Sequence, residues 1–152
     1  MKTKMFGKVS LVCLIFSILW LLLMVLSIAR IGSIDTLEQA IYSVANPDWL
    51  FYLTYISAVI FTILATILFV GLYLYCKPSE PEWSMIGLIF VPVYCVFNLF
   101  SYFSQITIVP KLLAYQTMAD YDNASKILLG QMVQGWQGSA VSVINNFAYA
   151  IL

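Results

Sequence analysis

The stretch WLFYLTYISAVIFTILATILFVGLYLYC, residues 49–76, decides the fold. It lies between Asp48 and Lys77 and carries no charge along its whole length. A helix needs roughly 20 apolar residues to cross a bilayer core of about 30 Å. This run exceeds that length and leaves room to tilt or to reach into the headgroup region. Two further charge-free runs flank it. One covers 9–29, between Lys8 and Arg30; the other covers 83–109 and is closed by Pro110. All three predict membrane-crossing helices.

Composition agrees with that reading. Of 152 residues, 62% are apolar and 9% are charged, where soluble domains run at about 45–50% and about 25%. Mean hydropathy is +0.95. These values exclude a disordered chain, a coiled coil and a nucleic-acid binder. A soluble globule of 17.2 kDa needs more surface charge than this to stay dispersed. The partner implied by composition alone is the lipid bilayer.

Residues 127–152 form a fourth and more ambiguous segment. Its first half holds Gln131, Gln134, Gly135, Gln137 and Gly138, and only Ser139–Leu152 reads as membrane-like. That half is shorter than a span. Either the natural chain continues beyond Leu152, or Lys126–Leu152 forms one helix, half interfacial and half inserted. The expected fold is an all-α, polytopic integral membrane bundle in one domain over 1–152. It has three clear transmembrane helices and a more polar fourth, read either as truncated or as half inserted.

Orientation follows from the basic residues beside the spans. Lys2, Lys4, Lys8 and Lys77 fall on one side; Arg30, Lys111 and Lys126 fall on the other. This places the N-terminus in the cytoplasm and the protein in the plasma membrane. The first run exceeds a signal peptide's apolar region of about 7–15 residues, so it is read as an uncleaved anchor.

The connections carry local signals. Asp35 and Glu38 match an N-terminal capping pattern. Ile34, Leu37, Ile41 and Val44 share one helical face. A short amphipathic helix over about 35–45 is expected on the outer membrane surface, with a lid over a pocket as the alternative. Asn46-Pro47-Asp48 opens the second span, with Asn46 as cap and Pro47 at the first helical position. Pro78 and Pro81 shape a short turn, so the second and third spans are antiparallel neighbours. Pro92 removes a backbone hydrogen bond within the third span. The last loop carries Asp120, Tyr121 and Asp122, and Asn123-Ala124-Ser125 matches a glycosylation sequon, a pattern common by chance.

Several chemistries are missing. There is no histidine, which removes Ser-His-Asp triads, Cys-His dyads and most zinc sites. Cys13, Cys76 and Cys95 form no C-x-x-C pair and read as apolar packing. No ionisable residue other than cysteine and tyrosine lies inside a span, which argues against a proton-driven transporter. The expectation is a protein that is not an enzyme and uses no cofactor or metal.

Uncharged polar residues form stripes. Tyr94, Asn98, Ser101 and Gln105 share one face of the third span. Ser142, Asn145 and Tyr149 repeat that spacing in the fourth segment, after Gln131, Gly135 and Gly138. Smaller stripes are Thr54, Ala58, Thr62 and Ala65 in the second span, and Ser10, Cys13, Ser17, Trp20, Met24 and Ser27 in the first. Such stripes pack helices together through close approach and interhelical hydrogen bonds. They equally line a polar groove between the third and fourth segments. Packing fits a structural or accessory subunit bound to a membrane protein partner or to a second copy. A groove fits a carrier or channel-like protein for a neutral or lipid-like solute.

Overall fold

In the computed structural model, residues 3–116 and 123–151 are described. Lys2, the side chains of Lys4 and Asn123, and Asp120, Tyr121 and Asp122 lie outside the described residues. The chain is an all-α bundle: α1 (Thr3–Ile31), α2 (Leu37–Val44), α3 (Trp49–Cys76), α4 (Pro81–Gln116), α5 (Asn123–Met132) and α6 (Ala140–Ala150). Three helices are long and apolar enough to cross a membrane, over Phe6–Ile31, Trp49–Cys76 and Pro81–Tyr115.

Each helix begins and ends for a local reason. α1 stops at Gly32, whose φ of +80° suits the left-handed position after a helix; its N–H returns to the Ile28 carbonyl at 2.9 Å. The α2 capping box is Thr36 with Gln39, one residue beyond the expected Asp35 and Glu38. Thr36 Oγ1 accepts from the Gln39 N–H at 3.2 Å, and Gln39 Oε1 accepts from the Thr36 N–H at 3.1 Å. Asp35 instead accepts from the Ser33 hydroxyl. The α3 cap likewise moves from Asn46 to Asp48, which accepts from the Phe51 N–H at 3.0 Å. Asn46 and Pro47 precede the helix.

Pro110 does not end the third span. α4 runs on to Gln116 with both Pro92 and Pro110 inside it. The residues after Pro110 have apolar surface to bury: Val109 is the centre of a cluster with Ala40, Val44, Leu129 and Val133, and Leu112 and Leu113 pack against it. That burial offsets the hydrogen bond lost at the proline.

The same cluster reassigns α2. Its apolar face, expected to rest on the membrane surface, is buried against α4 and α5, with Ala40 wholly enclosed. Gly130 lets α5 approach, because a side chain there would collide with Leu37.

The segment 127–152 is not one helix. It is α5 and α6 joined by a break over 133–139. The physical reason is a set of hydrogen bonds that the break supports and a continuous helix would forbid. Ser139 caps α6 by accepting from the Ser142 N–H at 3.0 Å, and Gln131 Oε1 accepts from the Ala140 N–H at 3.0 Å.

α3 packs between α1 and α4, and α4 in turn packs against α5 and α6. The α1–α3 contact uses the stripes expected of it: Cys13 is buried beside Ala65, and the hydroxyls of Ser27 and Thr54 meet at 3.2 Å. Thr54 already donates to the Leu50 carbonyl, so Ser27 is the donor between them.

Candidate functional site

Two places hold the polar side chains: the contact of α4 with α5 and α6, and a cleft at the Arg30–Asp48 end of the bundle. In the first, the two predicted stripes come together. Tyr94 and Tyr149 meet edge to face with centroids 5.8 Å apart. Phe97 and Phe147 pack beside them at 6.0 Å. Tyr102, one helical turn beyond Asn98, bonds its hydroxyl to that of Tyr149 at 2.7 Å.

Tyr94, Asn98, Ser101 and Gln105 are each at most 1% exposed, and Ser142 is 7% exposed. Ser101 and Asn98 turn their donors back to their own helix, onto the carbonyls of Phe97 and Tyr94. The Oδ1 atoms of Asn98 and Asn145 are buried without a partner. The α4 side of this seam is enclosed, whereas on α6 Asn145 is half-buried and Tyr149 is exposed.

Gln105 does something different. Its Nε2 donates to the Met132 carbonyl at 2.7 Å, and its Oε1 accepts from the Gln134 N–H at 3.1 Å. Ser104 Oγ holds the same amide at 3.0 Å. One side chain of α4 therefore supplies both a donor and an acceptor to the backbone where α5 stops. Backbone groups in an apolar interior need such partners.

The cleft has a volume of about 1020 Å³ and opens between α1, α2, α3 and the helix break. Trp20, Tyr55 and Tyr102 line its deep end, where Trp20 lies 6.5 Å from Tyr102 and Tyr55 lies 6.4 Å from it, ring centre to ring centre. Gln134 and Gly135 of the break form one wall. Gln134 Oε1 is buried without a hydrogen-bond partner. Arg30, Glu38 and Asp48 stand toward the mouth. Trp20 and Arg30 are ten residues apart on α1, so helical rise makes the cleft roughly 15 Å deep.

Arg30 and Asp48 form an ion pair. The Phe51 N–H and then the Arg30 guanidinium hold the Asp48 carboxyl below the usual carboxylate range. Among the described residues Glu38 has no ion-pair partner. Also among the described residues, no three metal-ligating side chains come together.

Of the seven residues singled out in the sequence, none lines the cleft. Its chief lining residues, Trp20, Tyr55, Tyr102 and Gln134, come from four separate segments. A signal existed for two of them: Trp20 lies on the α1 stripe, and Tyr102 is four residues from Asn98. No protein family, curated protein or solved structure matches this chain.

Proposed function

We propose that this is a multi-pass protein of the cytoplasmic membrane, N-terminus inside, that binds a lipid-like small molecule in the cleft without transforming it. The observation that carries this reading is the cleft itself. Its volume of about 1020 Å³ reaches the upper end of ordinary ligand sites, which are about 300–1,000 Å³. Its walls combine aromatic and aliphatic side chains with ten polar or charged ones, so both an apolar body and a polar head find partners. In the alternative place for a solute, between α4 and α6, the α4 residues Tyr94, Asn98, Ser101 and Gln105 are buried.

The test is equilibrium binding of neutral amphiphiles, such as triphenylphosphine oxide or a monoacylglycerol, to the protein in lipid nanodiscs. One saturable site per chain is expected above the background of empty discs. Met24→Trp narrows the cleft and should weaken binding several-fold while thermal unfolding stays unchanged. An unchanged affinity in Met24→Trp refutes the placement. Reporters fused at the N-terminus and in the turn at 77–80 should both face the cytoplasm.

A second reading has its own observation. Only 11% of the most apolar window of α1 is buried, and Leu22, Val25 and Leu26 are exposed. That face suits lipid, a membrane protein partner or a second copy, and an accessory role follows if a partner co-purifies through it. Leu22→Trp should then release the partner without affecting the cleft.

A further inference from the structure

The cleft also has a sign. One cation, Arg30, faces two carboxylates, Glu38 and Asp48, on the same lining. Arg30 pairs with Asp48, which leaves the Glu38 charge uncompensated. Deeper in, the lining contains no cation. It offers the rings of Trp20 and Tyr55, with Tyr102 buried behind them; aromatic faces carry negative electrostatic potential and attract cations within about 6 Å. The lining thus carries one cation against two carboxylates, a net charge of −1. A cleft with low-dielectric walls and a net charge concentrates ligands of the opposite sign.

We propose that the cleft selects amphiphilic organic cations over neutral and anionic molecules of the same shape. Glu38 attracts the charge, and the rings of Trp20 and Tyr55 receive the apolar body. This rests on the binding role proposed above and adds a charge preference to it. Arg30 limits the selectivity by holding Asp48 in an ion pair. A molecule whose positive charge is spread over an apolar body fits best, because its desolvation costs little and its surface can face both the rings and the carboxylate.

The test compares three molecules of nearly the same size: tetraphenylphosphonium, triphenylphosphine oxide and tetraphenylborate. Each is measured against the full chain in phosphatidylcholine nanodiscs, with empty discs subtracted. The cation should bind at least tenfold more tightly than the oxide, and the borate should show no saturable site. Glu38→Gln should reduce the cation's advantage over the oxide three- to tenfold. Arg30→Gln should raise cation affinity several-fold. Added salt should weaken the cation alone. Equal binding of the cation and the oxide overturns the charge preference and leaves the binding role standing. Failure of all three molecules to bind above empty discs overturns both.

Discussion

Gln105 and Asn98 sit two helical turns apart on one face of α4, and both are fully buried, yet they do opposite work. At the helix break, Gln105 satisfies a carbonyl and an N–H that have no other helical partner. In the seam, Asn98 returns its donor to its own helix and leaves its oxygen unpaired. The difference teaches that a polar residue in an apolar bundle matters through the backbone it serves. Burial and polarity alone do not separate the two.

The contrast is broken most directly at Gln105. Gln105→Leu leaves two buried backbone groups unsatisfied, each costing about 1–3 kcal/mol. We expect a loss of about 2–4 kcal/mol in reversible unfolding in detergent micelles. An unchanged midpoint would mean that the break does not depend on this side chain. Tyr102→Phe tests the seam where it does form a bond between helices. It removes the link to Tyr149 and keeps the ring, so a loss of about 1 kcal/mol is expected in the same assay.

Acid sharpens the comparison by sparing both regions. Asp48, at the mouth of the cleft, has its folded-state pKa lowered by the Phe51 N–H and by Arg30. Its contribution is fully present above the unfolded value of about 4 and disappears as pH falls through the lower folded value. The melting temperature should therefore fall below about pH 4, and Asp48→Asn should remove that part of the fall. The Gln105 variant should retain it in full. The smallest effect belongs to Asn98→Leu. Volume is nearly conserved and an unpaired acceptor is deleted, so stability should stay within about 0.5 kcal/mol of the parent. A large loss would show that Asn98 serves another helix after all.

The three long helices were legible because their charge-free runs are far longer than any soluble helix needs. Other features were not, and each for a physical reason. Asp35-x-x-Glu38 and Thr36-x-x-Gln39 both fit a capping pattern one residue apart, and the choice depends on burying Ala40 and Val44 against α5. Pro110 reads as a terminator locally, but the apolar contacts of Leu112 and Leu113 carry α4 past it. In the fourth segment, Gln131, Gly135, Gly138, Ser142 and Asn145 keep helical spacing straight through the break. Spacing records angle and is blind to whether the backbone is continuous. The cleft left only a partial trace, in Trp20, Met24, Ser27 and Thr54 on their stripes, since its walls come from segments distant in sequence.

The break between α5 and α6 has a consequence for how the protein is made. The two helices have 10 and 11 residues, so each is about 15 Å long and covers half a bilayer. Neither half presents the insertion machinery with a stretch that would partition into lipid by itself. The carbonyl of Met132 and the N–H of Gln134 would enter bare. α4 is synthesised first and arrives with the Gln105 amide already in place. Docking of the last segment is then a templated step, completed on the surface of a helix made before it.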